Sequence, residues 1–181
     1  MNILLHTCCG PCTIYPLKIL RMEGFTVTGF FYRYNIHPFT ECRKREDTLT
    51  SYAASVDLPL VVQEGYDVEG FLRNTVFREK HRCDICYRSR LEETAIRARN
   101  GGFDAFSSTL LYSRYQRHDR IREIAEELAT EYNVAFIYRD FRSGWTEGIV
   151  ESKRLGMYRQ PYCGCIYSEK DRYYREGPSA S

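Results

Sequence analysis

The chain has little net charge: 26 Lys and Arg stand against 24 Asp and Glu, a formal +2 over 181 residues. A field basic enough to hold nucleic acid everywhere is excluded, so any such binding needs a local basic face. Long apolar runs are also missing. No stretch approaches the ~20 apolar residues of a membrane span. The opening residues lack the basic n-region and extended apolar core of a signal peptide. Internal repeats, low-complexity segments and linkers are absent as well. The loop after the first expected strand has none of the Gly/Ser-rich composition that cradles phosphate. What remains, at 43% hydrophobic, is one domain with an ordinary core, expected in the cytoplasm and away from membranes. Residues 1–176 read as a single catalytic domain and 177–181 as a loose tail.

Cysteine is what the chain does have. There are eight, and a chain this large needs no disulfide staples, so in a reducing compartment clustered thiols point to metal or redox chemistry. The sequence is organised around Cys8-Cys9-Gly10-Pro11-Cys12. Residues 2–6 read as a short buried strand. Residues 13–23 read as a helix with Pro16 in its first turn and Gly24 past its end. Three thiols therefore sit on a strand-to-helix turn, at the sheet edge where α/β proteins bind ligands. The helix N-terminus favours thiolate over thiol.

Further strands are expected at 25–32, 58–62, 103–107 and 134–138. Between them, helical spacing appears at Leu49, Tyr52, Ala53 and Val56, with Thr40 as the expected cap, and again at Ile121, Ile124, Ala125 and Leu128. Asp67 starts a short helix. Cys83-x-x-Cys86 opens another that Gly101-Gly102 stops, with both sulfurs to one side. Helix is expected over 149–155, and a short charged helix after Cys165. The alternation predicts a three-layer α/β/α fold with a mostly parallel, roughly five-stranded sheet and its strand-exit loops on one edge.

Seven of the thiols form three groups, Cys8/Cys9/Cys12, Cys83/Cys86 and Cys163/Cys165. Seven exceeds one four-ligand site, which suggests two neighbouring centres: a 4Fe–4S cluster and a single ion with an open position. Spacing alone suits zinc as well as iron. The surplus of thiols and their place at the functional edge favour iron. A dithiol redox enzyme would leave the other thiols idle. Cys42, alone on a helix, reads as a buried small apolar residue.

Several segments resemble one family in order. Leu4-Leu5-His6-x-Cys8-Cys9-Gly10-Pro11-Cys12 is similar to the opening motif of the QueH epoxyqueuosine reductases. Asn35-Ile36-His37-Pro38 with Glu41 and Arg45 resembles the second. Cys83-x-x-Cys86-Tyr87-x-x-Arg90-Leu91, Thr109-Leu110-Leu111-x-Ser113-x-Tyr115-Gln116 and Asp140-Phe141-Arg142-x-Gly144 resemble the next three. The last runs from Ser152-Lys153 through Tyr158-Arg159-Gln160 to Tyr162-Cys163-Gly164-Cys165. Two departures are Arg33-Tyr34, where the family usually has Asn-Pro, and Cys42, where it more often has an aromatic.

The resemblance implies a Rossmann-like (HUP-like) sheet and the last step of queuosine synthesis on tRNA. There an epoxide on the modified base becomes an alkene, with two electrons and two protons taken up and water released. It also implies a 4Fe–4S cluster beside a second, mononuclear iron, without cobalamin. Cys9, Cys83, Cys86 and Cys165 are the expected cluster ligands. Cys8, Cys12 and Cys163 are expected near the lone iron, with a carboxylate such as Asp84 or Asp140. His37, Asp84 and Asp140 are the candidate proton donors, although Asp140 has the alternative of pairing with Arg142 to shape its loop. The substrate base must leave its stack to react, and single-stranded loops are read by stacking and base-edge bonds. Asn35, Arg114, Tyr115, Gln116, Arg117 and His118 are candidates for that, with Arg142, Lys153, Arg154 and Arg159 for phosphates. The expected partners are tRNA and an external electron donor, the chain itself being a monomer. Two other classes remain open: a zinc-stabilised RNA-binding module, and an ATP-dependent tRNA-modifying enzyme of related fold.

Overall fold

Ile3, Leu4 and Leu5 put apolar side chains on both sides of one short segment, as a strand covered on both faces requires. They form the middle of β1 (Asn2–Thr7) and are all buried. The computed structural model describes residues 1–174, so the expected tail at 177–181 lies outside the described residues. β2 (Thr26–Phe31), β3 (Leu60–Val62), β4 (Ala105–Ser108) and β5 (Ala135–Phe136) complete the sheet. Its order is β3-β2-β1-β4-β5 and every pairing is parallel. The chain winds outward one way from β1 through β3 and the other way through β4 and β5. The order therefore reverses between β1 and β4, and the crevice at their carboxyl ends is where such sheets hold ligands.

Seven helices are described: α1 (Gly10–Met22), α2 (Phe39–Ser55), α3 (Val68–Thr75), α4 (Arg82–Asn100), α5 (His118–Glu131), α6 (Trp145–Arg154) and α7 (Ile166–Tyr173). α1 packs on α2 and α6 in one layer, and α4 on α5 in the other. The three-layer α/β/α expectation holds. None of the helices among the described residues is long and apolar enough to cross a membrane. Cys42 is fully buried beside Phe31, Ile36 and Leu49, as its apolar reading required.

Local boundaries needed correction. α1 begins at Gly10, three residues earlier than expected, because Cys9 Sγ caps it by accepting from the Cys12 N–H at 3.4 Å. Cys12 thus lies in the first turn, and Pro16 stands inside the helix with no N–H for the Cys12 carbonyl. Thr40 does not cap α2; Pro38 holds that position without a side-chain bond. β5 is two residues long because it pairs only through Ala105–Ala135 and Phe106–Phe136, at the sheet's edge. α6 starts at Trp145, after a 3-10 turn at Phe141–Gly144 that Asp140 caps.

Candidate metal centre

Two strand exits define the floor of the site. After β1 come Cys8, Cys9 and Cys12, whose sulfurs lie within 4.8 Å of one another. After β4 comes Thr109, whose hydroxyl accepts from the Cys8 N–H at 3.2 Å and lies 3.5 Å from Cys8 Sγ. Hydrogen bonds from Cys12 and Cys9, aided by Thr109, hold the Cys8 thiol well below its usual range. Burial pushes Cys9 up, and bonding to Cys8 pushes Cys12 up.

The other four thiols approach from two further directions. Cys83 and Cys86 lie in the first turns of α4, and Cys163 and Cys165 flank a tight turn before α7. Burial raises the Cys83 pKa against the pull of Arg82, and both Cys86 and Cys165 add to the rise, so these sulfurs are electrostatic neighbours. Cys8, Cys12, Cys86 and Cys163 line one cavity of about 870 Å³, with Arg90, Thr109 and Gln160 among its walls.

The turn bearing Cys163 and Cys165 is fastened at several points. Arg45, fully buried, bonds the Cys163 carbonyl at 2.8 Å and the Tyr162 carbonyl at 2.9 Å, while its Nε meets Glu41 at 2.7 Å. The Gly164 carbonyl accepts from the His37 N–H at 2.8 Å. A Cβ on Gly164 would lie 3.1 Å from the Asn35 carbonyl oxygen, so the close approach needs glycine.

Arg90 tests whether this donor set suits a metal centre. Its guanidinium is buried, and no carboxylate lies within 4.0 Å among the described residues. Nε reaches Cys86 Sγ at 3.2 Å, while the two outer nitrogens reach His6 Nε2 at 3.3 Å and the Asn35 carbonyl at 3.2 Å. Burial alone would lower its pKa; the Cys86 and Cys8 sulfurs reverse that and leave it raised. Arginine only donates, so His6 accepts through Nε2 and gives its Nδ1 proton to Ser108 at 2.9 Å. His6 is kept neutral, its pKa lowered to about 3 by burial and by Arg90. A buried cation needs an anion beside it, and here the anions on offer are sulfurs. Amide donors face sulfur too: Gln160 lies 3.0 Å from Cys9 and 3.3 Å from Cys12, and Gln116 lies 3.2 Å from Cys163. Bonds of this kind tune thiolate-bound metals. The residues fit an anionic sulfur-ligated centre.

Other expected site residues fall differently. The Cys9 sulfur, expected to share a centre with Cys83, Cys86 and Cys165, lies within 4.8 Å of those of Cys8 and Cys12. His37 is buried with both ring nitrogens engaged, Nε2 to the Tyr34 carbonyl at 2.9 Å and Nδ1 to the Ile166 N–H at 3.3 Å. Burial lowers its pKa to about 4, so it has no proton to spare near neutrality. Asp140 pairs with Arg142 at 2.6 Å, whose bonds depress its pKa to about 2. Asp84 pairs with Arg117 at 2.8 Å and Arg120 at 3.2 Å. None of these three lines the cavity.

Among the expected RNA contacts, Asn35 is buried and bonds the Cys86 carbonyl and Ser89, both on α4. His118 is buried against Tyr138. Arg117, Arg142 and Arg154 have acidic partners, the last being Glu151 at 2.6 Å. Lys153 is exposed and outside the cavity wall. Tyr115, Gln116 and Arg159 do line the cavity, and Arg114 stands over Trp145, another lining residue. Sequence reading assigned no role to Arg45, Arg90 or Gln160. The i,i+4 spacings Glu41/Arg45 and Cys86/Arg90 were the available signal.

Comparison with known proteins bears on the same residues. The family model described as epoxyqueuosine reductase QueH matches residues 3–171. A protein of that name from Dehalococcoides mccartyi is 37% identical over 95% of this chain and 94% of its own length. One from Thermotoga maritima is 34% identical, covering 94% and 92%. One from Acinetobacter baylyi is 32% identical, covering 94% and 81%. A crystal structure described as a predicted subunit of tRNA methyltransferase from Methanocaldococcus jannaschii aligns with a TM-score of 0.55 at 12% identity. It covers 87% of this chain and 89% of that one, and shows the fold alone. Matched over almost its whole described length, this chain belongs to the epoxyqueuosine reductase QueH family.

Proposed function

We propose that the chain reduces the epoxide of epoxyqueuosine in tRNA to the alkene of queuosine, taking up two electrons and two protons and releasing water. One observation carries the reading: thiols from three distant stretches open onto one cavity at the reversal point of the sheet. Cys8, Cys9, Cys12, Cys83, Cys86, Cys163 and Cys165 would hold a 4Fe–4S cluster and a second iron. Bound there, iron would supply electrons singly and a Lewis-acid position for an oxygen. The protein's part is placement and shielding. Arg90 balances sulfur charge, and Gln160, Gln116 and Thr109 orient the sulfurs. Tyr87 donates to Gln116 at 2.8 Å and fixes that amide. Arg159, on the wall, is a cation available to phosphate. The electrons come from an external donor, and the chain works as a cytoplasmic monomer.

Anaerobic purification followed by iron and sulfide analysis, paired with turnover of epoxide-bearing tRNA, tests this. The expected result is a brown protein with more than four irons per chain, and Cys83→Ala losing iron and activity together. One zinc per chain, no iron and no turnover would overturn it in favour of a zinc-stabilised RNA-binding module.

A further inference from the structure

Beside the sulfur-lined wall of the cavity stands a stair of aromatic rings that the centre itself does not use. Tyr15 lies 6.5 Å from Tyr112, Tyr112 5.2 Å from Trp145 and Trp145 5.6 Å from Tyr115, centroid to centroid. The inner rings are locked. Tyr112 is buried and donates to the Trp145 carbonyl at 3.0 Å. Gly144 and Gly148 leave room for them: a Cβ at either would fall 2.1 Å from the Tyr15 ring or 2.2 Å from the Tyr112 hydroxyl.

The outer end is open. Tyr115 is 84% exposed, meets Trp145 edge-on, and touches the same cavity as Cys8 and Cys12. Arg114 stands 5.9 Å from the Trp145 ring, with no acidic partner within 4.0 Å among the described residues. A stack serving only the core would bury its last ring. This one runs from the buried Tyr112 to the exposed Tyr115, on the wall of the thiol-lined cavity, and ends beside a free cation.

We propose that Trp145, flanked by Tyr115 and Arg114, is the stacking site for an unpaired nucleobase of the substrate RNA. Rings and guanidinium planes are what single-stranded bases stack on, tolerantly of sequence. The rigid inner rings fix Trp145 before the RNA arrives, so little ordering cost falls on binding. The proposal rests on the reductase reading for the identity of the RNA, and it adds where a base is held.

The chain has a single Trp, so tryptophan emission reports on this ring alone. The experiment titrates the anaerobic, metal-loaded full chain with an anticodon stem-loop carrying the epoxide base, following emission and, separately, filter binding. A saturable change in emission that tracks binding is expected. Trp145→Ala should raise KM about tenfold to a hundredfold with kcat within a few-fold, and Trp145→Phe should restore most of it. Tyr115→Ala, at a position 84% exposed, should raise KM several-fold. Binding without any change in emission, or an unmoved KM in both alanine variants, would overturn the stacking site and leave the reductase reading standing. If native protein fails to turn over the RNA yet binds it with changed emission, the reductase reading falls and the stacking site survives.

Discussion

Replacing Arg90 with methionine removes a buried guanidinium whose anionic neighbours are sulfurs, at nearly constant side-chain volume. Its Nε stands 3.2 Å from Cys86 Sγ. At that separation and an effective dielectric of 20, a full charge pair is worth about 5 kcal/mol. Against it stands the cost of burying the guanidinium, several kcal/mol. With the sulfurs bound to iron and anionic, the two roughly cancel or favour the arginine. With the metal stripped and most thiols protonated, the cost is left uncovered. Methionine also abandons the Asn35 carbonyl and His6 Nε2, which costs about 1–3 kcal/mol in both states alike. Anaerobic urea melts of native and Arg90→Met protein, each iron-loaded and chelator-stripped, isolate the difference of differences. The variant should lose about 2–4 kcal/mol more when loaded than when stripped. Equal losses in both states, within about 0.5 kcal/mol, would make Arg90 a packing residue and refute the charge argument.

Arg45→Lys keeps the charge but not the fork that spans Glu41 and the Cys163 and Tyr162 carbonyls; iron per chain should fall while far-ultraviolet circular dichroism is kept. Asp140→Asn retains the cap on the Arg142 N–H, since asparagine caps as well as aspartate, and so removes only the ion pair. Because Asp140 is depressed from 3.8 to about 2, its small contribution is present above about pH 4 and lost as pH falls toward 2. The variant's stability deficit should shrink over that window, and its turnover at neutral pH should stay within a few-fold of native, since an ionised Asp140 donates no proton. Gly148→Ala sets a Cβ 2.2 Å from the buried Tyr112 hydroxyl; the clash, about 1–3 kcal/mol, should outweigh the ~1 kcal/mol helix gain and lower the thermal midpoint by several degrees.

The fold was readable because each element carried its own signal. The apolar run at Ile3–Leu5 and the helical repeat at Ile121, Ile124, Ala125 and Leu128 became buried strand and helix, with all seven side chains at most 2% exposed. The start of α1 was not readable, because cap rules are written for oxygen and here a sulfur accepts the bond. Exposure was the other blind spot. Asn35 and His118 are polar residues near loops, a pattern that signals surface, yet both are buried by contacts made across the fold. The pairing of Asp140 with Arg142 was already an alternative in the sequence, but Arg154 was counted as a free cation although its partner, Glu151, stands three residues away. That neutralisation was visible in the sequence once charges were read in pairs.

Composition signalled seven clustered thiols, but how they meet depends on groups that are silent in a one-dimensional reading. α7 has no buried residue, so no apolar face fixes the segment that carries Cys163 and Cys165. It is fixed instead by polar anchors. Arg45 comes from α2, the His37 N–H from the loop after β2, and Arg82 from the start of α4 through Asp171 at 2.5 Å. Each anchor originates beside another part of the site: α2 follows that loop, and Arg82 precedes Cys83 by one residue. A thiol pair held this way is positioned by the elements that carry or brace the other thiols. Displacing the turn would cost the buried Glu41–Arg45 pair its carbonyl partners, and an unsatisfied buried charge is among the most expensive defects a core can hold. The convergence of the thiols is therefore enforced by buried arginines, which demand both the carbonyls of the turn and the negative charge of the sulfurs.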